Sequence, residues 1–296
     1  MQRPKVLARL VPVAATGIGL ASGVLIVLTP STAHGAPLWP VWASLAVALT
    51  FAAGAVFSYG LARWAELSAV CPTQVRDAAV PVIGLLTVAV LAVLTGVLLT
   101  VTAHRAGTGW AAFRGWALVA VAVLGAVPVV AVMDGIRRCC GSELAPGTKG
   151  GQAASLMALR RLLQRLLTAV GLLVALSTLA LGAALALQQS LPAARGAGAG
   201  LPPQAVLIFG GAGSALVALA YGPASTALSN RAQRLCDELF PLHVADEAAA
   251  ILAQAEDRSK LEQLLGADRS VAADLQTGLA ILGPLITSAL AAFLPH

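Results

Sequence analysis

Charge is what this 296-residue chain has least of: 11% of its residues are Asp, Glu, Lys or Arg, where soluble domains average about 25%. With 58% hydrophobic residues, a soluble fold of this length would lack the polar surface to cover itself, so a bilayer is the main solvent. Aromatic residues make up only 4% of the chain, and no Trp or Tyr falls in the middle of an apolar run. Asn230 is the only asparagine and arginine far outnumbers lysine. That bias suggests a GC-rich bacterial genome and a bacterial cytoplasmic membrane.

The catalytic inventory is also thin. HExxH, GxSxG and paired catalytic carboxylates are absent, and Gly147-Thr148-Lys149-Gly150-Gly151 fails the phosphate-loop order because Lys149 is followed by glycine and no strand precedes it. The 4 cysteines have no CxxC spacing, and adjacent Cys139 and Cys140 would chelate one ion poorly, so buried thiols are a better reading than a metal cluster. His34, His104 and His296 have no carboxylate or cysteine near them in sequence to complete a metal site. The expectation is a chain that is not an enzyme and holds no cofactor or metal.

What the sequence does contain is seven charge-free runs: about Leu10–Thr29, Trp39–Ala62, Val80–Thr102, Trp116–Met133, Leu166–Leu187, Ala205–Tyr221 and Gly278–Leu294. A run of about 20 apolar residues spans the hydrocarbon, and within lipid the backbone must satisfy itself, which requires helices. The class expected is all-α, a polytopic transmembrane bundle of about seven spans, or six if the last run, interrupted by Pro284, does not cross. Threading the chain from a cytoplasmic N-terminus puts 16 of the 19 basic residues on the inner side, with Arg105, Arg114 and Arg195 outside, and all 13 acids inside. This asymmetry is what positive-inside insertion demands. Trp39, Trp42, Trp110 and Trp116 then mark outer ends, and Tyr59, Trp64 and Tyr221 inner ends.

The first run, followed by Ser31-Thr32-Ala33, imitates a secretory signal, but its length and the Gly19/Gly23 pair favour a retained packing helix. The organisation expected is a four-span region over 1–133, a cytoplasmic loop and basic amphipathic helix over 134–165, the fifth and sixth spans over 166–222, a cytoplasmic helical hairpin over 223–273, and a last span or re-entrant segment over 274–296. Outer loops rich in Pro and Gly are too short to fold as a domain.

Three groups of residues stand out. Arg160, Arg161 and Arg165 share one face of a helix whose other face carries Leu156, Leu159, Leu162, Leu163 and Leu166, which suits contact with an anionic inner leaflet, or with an acidic partner. Gly210, Gly211, Gly213 and Ser214 weaken a span by about 1 kcal/mol per glycine and call for a reason, either close helix packing or a locally unwound segment. Ile251 and Leu252, with Leu261 and Leu265, form an apolar stripe on an inner helix, a candidate partner-docking surface. Spans without ionisable groups argue against proton-coupled transport, since such groups persist in membranes for function. The function expected is a non-enzymatic multi-pass component that acts through assembly, as a homo-oligomer or with a membrane or cytosolic protein, in a regulatory, scaffold or effector role. The alternative is a permease or channel subunit for an uncharged or weakly polar solute. Nucleic acid is not an expected partner.

Overall fold

A computed structural model describes residues 3–29, 33–70, 110–141, 148–190, 204–240 and 248–265. Among these residues the regular elements are all helices: α1 (Arg3–Leu28), α2 (Trp39–Val70), α3 (Trp110–Gly141), α4 (Lys149–Ser190), α5 (Gln204–Leu239) and α6 (Ala248–Leu265). Local chemistry sets their ends. Thr29 closes α1 by donating its hydroxyl to Ile26 O at 2.7 Å, and Pro30 follows, where the chain disfavours helix. Pro40 sits in the first turn of α2, where a missing N–H costs nothing.

Three of the helices are long and apolar enough to cross a membrane, over Trp39–Leu67, Arg114–Gly141 and Lys149–Ser190, and Val13–Leu28 is a shorter apolar helix. The expectation of about seven spans is therefore met on the described residues by three. The run Ala205–Tyr221 is helical within α5 but is not one of them, and Val80–Thr102 and Gly278–Leu294 lie outside the described residues.

Small residues set how the first three helices cross. A Cβ added to Gly19 or Gly23 would collide with Thr50, and one added to Gly54 would meet Ala15 O. Residue numbers thus rise along α1 as they fall along α2, and the pair is antiparallel. Between α2 and α3 the order is opposite. Gly125 lies against Ala53, Gly60 against Pro128 and Val129, and Gly135 against Leu67, so numbers rise together and the two helices run parallel. Lipid tails are as apolar as leucine, so association here depends on close packing, which glycine permits by letting backbones approach.

Two segments that the sequence divides are continuous in the structure. The basic segment before Leu166 and the span after it are one helix: α4 runs unbroken through 42 residues, about 63 Å, and Leu156, Leu159, Leu163 and Leu166 are buried in the same core as Val132 and Leu228. An apolar stripe that continues in phase with the span is better satisfied by the neighbouring helices than by lipid. Nor does the fifth helix begin after Pro223: α5 continues from Gln204 to Leu239 with Pro223 inside it and exposed. Of the hairpin expected over 223–273, the described residues are the C-terminal half of α5 and α6, and α6 meets the bundle through its C-terminal half, where Leu261 is half-buried and Leu265 buried.

Candidate functional site at the charged end of the bundle

The end of the bundle at which α2 and α3 finish and α4 begins collects the charged chemistry. On α2, Arg63 pairs with Glu66 and lies over the Tyr59 ring at 5.0 Å. At the end of α3, Asp134 is shared by Arg137 at 2.8 Å and Arg138 at 2.9 Å. Lys149, the first residue of α4, donates to the Glu238 carbonyl at 3.0 Å, which closes a C-terminal orphan of α5 and fixes α4 and α5 as antiparallel. The same register brings Gly213 against Val174 and Gly210 against Thr178.

Helix α6 docks onto this end by polar links around one buried leucine. Arg160 donates to the Leu265 carbonyl at 2.8 Å, and Arg258 binds both Asp237 of α5 and Glu262 of its own helix, each at 2.7 Å. The hydrogen bond that Arg258 donates to Glu262 raises its guanidinium above its ordinary value. Lys260 likewise lowers the Glu256 carboxyl by hydrogen bonding, at 2.8 Å. Close by on α5, the fully buried Cys236 thiol is pushed up, by burial first and by the Glu262 charge second. Cys139 and Cys140 are buried as well, while Cys71 lies outside the described residues.

The structure separates the three arginines singled out from the sequence. Arg160 turns to α6, whereas Arg161 and Arg165 are exposed on the outside of α4. The stripe Ile251, Leu252, Leu261, Leu265 divides too: Leu265 is 3% exposed and Leu252 is 72% exposed, so the former holds α6 in place and the latter faces away. The backbone of Ile251 is helical, and its side chain is outside the description. The glycine segment is helical throughout; Gly210 and Gly213 face α4, Ser214 is half-buried, and a Cβ on Gly211 would meet nothing within 4 Å. Hydroxyls at membrane depth spend their protons on their own helices, as Ser22 to Gly19 O, Thr50 to Val47 O, Ser58 to Gly54 O, Ser177 to Leu173 O and Thr178 to Val174 O. Thr87 and Thr95 lie outside the described residues. No group of three or more His, Cys, Asp or Glu converges among the described residues.

Sequence reasoning missed one constellation at the opposite end. Arg114, 6% exposed on α3, donates Nε to Thr29 Oγ1 at 2.6 Å and Nη2 to Thr29 O at 2.7 Å. Its guanidinium also lies over Trp39 at 5.2 Å, and Trp39 packs against His34 and Trp42. The signal was available: an arginine two residues before a charge-free run, between Trp110 and Trp116.

No family model, curated protein or solved structure matches this chain. Its function has to be argued from the geometry alone.

Proposed function

We propose that the chain is a non-enzymatic, multi-pass component of the bacterial cytoplasmic membrane that acts by assembly, with α6 as the element offered to a protein partner. The observation that carries this reading is the division of α6. Leu265 and the links from Arg160 and Arg258 hold the helix against α4 and α5, while Leu252 at 72% and Leu264 at 70% exposure leave two large apolar side chains uncovered outside the span-forming runs. Two open leucines on the one helix outside the span-forming runs support a protein contact there.

The full threading, seven crossings from a cytoplasmic N-terminus, is part of the proposal. Two observations support it. Because α2 and α3 run parallel, Val70 and Trp110 lie at opposite ends of the pair, and the sequence between them holds the charge-free run Val80–Thr102. Described charges assigned to the inner side from Arg63 onward gather at one end of the bundle, and Arg114 is at the other.

The test is a pair of variants. Leu252→Asp with Leu264→Asp should abolish recovery of a partner, or of a second differently tagged copy, from native membranes while leaving protein abundance unchanged. Leu265→Asp should instead lower abundance, because a buried unpaired carboxylate costs several kcal/mol. If the double variant recovers the same proteins as the wild type, the assembly reading through α6 fails. If reconstituted protein passes an uncharged solute and Gly211→Leu stops it, the permease alternative replaces it.

A further inference from the structure

Four side chains spaced four residues apart, Leu252, Glu256, Lys260 and Leu264, form one ridge along α6, the kind of row by which packed helices interlock. All four stand open. Leu252 is 72% and Leu264 70% exposed, and the Lys260 and Glu256 side chains are 62% and 72% exposed. The residues that hold α6 to the bundle are on its other side. Arg258, bound to Asp237, falls about 180° round the helix from the midpoint of the ridge, and Leu261 and Leu265 share its side. Docking of α6 therefore leaves the ridge uncovered.

The order of residues along the ridge is self-complementary. From either end it reads leucine, charge, charge, leucine, and the two charges are opposite. A two-fold axis at the level of Arg258 that sets the ridge antiparallel to its copy puts Leu252 against the partner's Leu264 and Glu256 against the partner's Lys260. Each contact is then made twice, as a closed two-fold interface requires. Set parallel, the same ridges would oppose Glu256 to Glu256 and Lys260 to Lys260, and like charges in contact work against association. Within one helix Lys260 already lies 2.8 Å from Glu256 and 3.7 Å from Asp257. Antiparallel pairing leaves the link to Glu256 in place, because two such pairs close a ring of alternating charge around the axis.

We infer that α6 pairs through this ridge with α6 of a second copy of the chain, in the antiparallel sense. The inference rests on the assembly reading above and names its partner. One helix crossing is smaller than the roughly 1,200 Å² at which stable interfaces begin, so the pair depends on both copies being held in one membrane, which raises their effective concentration. Copies that share a membrane are related by an axis along its normal, so in the pair α6 lies across that normal.

The test uses the full chain reconstituted in liposomes as two differently labelled populations, with association read by energy transfer. Wild type should associate with itself. Glu256→Lys and Lys260→Glu should each weaken self-association by roughly tenfold, since an exposed ion pair shifts an equilibrium by up to about fivefold and the axis repeats the contact. A mixture of the two variants should recover the wild-type level, because each supplies the charge the other lacks, whereas damage to α6 itself would persist in the mixture. In a background free of native cysteines, added oxidant should link Leu252→Cys to Leu264→Cys faster than it links either variant to itself. Wild type that does not self-associate overturns the inference, as do single charge variants that associate as wild type does, a mixture that stays weak, or same-site links that outrun the mixed one. In each of these cases the assembly reading survives if Leu252→Asp with Leu264→Asp still releases a different protein from native membranes, and falls with the inference if it does not.

Discussion

Replacing Gly60 by alanine should destabilise the bundle, while the same change at Gly211 should not. A Cβ at Gly60 would stand 2.8 Å from Val129 N and 2.9 Å from both Pro128 C and Pro128 Cβ. Two of those atoms are backbone and the third belongs to a ring with no alternative rotamer, so the contact is relieved only by moving α2 away from α3. Overpacking of this kind costs about 1–3 kcal/mol. Both substitutions gain the helix propensity of alanine over glycine, about 1 kcal/mol. Because that gain is common to both, the difference between the two variants isolates the steric cost, and it should favour Gly211→Ala by about 1–3 kcal/mol. The measurement is unfolding in mixed micelles by increasing dodecyl sulfate, followed by tryptophan fluorescence, with both variants referred to the wild type. If Gly60→Ala proves as stable as Gly211→Ala, helices α2 and α3 do not cross at Gly60 and the parallel arrangement derived from that contact is wrong.

Arg114→Lys should not replace arginine, because one ammonium cannot reproduce the fork to Thr29 Oγ1 and Thr29 O; loss of two charge-assisted bonds at a buried site should cost about 2–4 kcal/mol in the same unfolding assay, and Thr29→Val less. In a background free of native cysteines, Gln233→Cys and Ser259→Cys, both at exposed positions, should react with an impermeant maleimide only from the cytoplasmic side, and exposed Gln189→Cys only from outside; the reverse pattern would sink the threading. The native Cys139, Cys140 and Cys236 are unsuited to that experiment because all three are buried. For Cys236 itself, a thiol raised above its ordinary 9.0 is protonated in the folded state at neutral pH, and its alkylation should increase as pH rises through and beyond 9. Leu265→Asp should speed the reaction at every pH by releasing α6, and an unchanged rate would show that α6 does not cover the thiol.

How much of this was legible in the sequence depended on whether the signal was local. Helical class followed from runs such as Trp39–Ala62, whose length and lack of charge leave the backbone no other way to satisfy itself. The Gly19/Gly23 pair announced a packing face and is one. The hairpin expected over 223–273 starts at Pro223, but the helix passes through that proline, as it does through Pro128, because helices in a bundle tolerate proline where neighbours support the backbone. Arg160 could not be told from Arg161 and Arg165 by periodicity, since the carbonyl it meets, Leu265 O, lies 105 residues away in sequence. Leu252 and Leu265 were alike in sequence for the same reason. Only the docked position of α6 makes one an anchor and leaves the other exposed.

The two halves of the described bundle are held by different forces. Helices α1, α2 and α3 meet where a Cβ would strike backbone, at Gly19, Gly54 and Gly60, so their attraction is dispersion between closely approaching surfaces and is indifferent to salt. Helices α4 and α5 meet through side chains instead. A Cβ added at Gly213 would meet Val174 Cγ1 at 2.9 Å, and one added at Gly210 would come no closer than 3.5 Å to Thr178. The wider crossing is supplemented at the start of α4 by Lys149 on Glu238 O, and α6 is added by Arg258 on Asp237 and Arg160 on Leu265 O. These links lie where water and ions reach them, the Arg258 and Asp237 side chains being 25% and 60% exposed, so each contributes little individually and less as ionic strength rises. Raising salt should therefore loosen α6 before it affects any crossing within α1–α3. An element held by one buried leucine and a few screened charges can exchange its internal contacts for external ones at small cost, whereas the glycine crossings leave no such freedom.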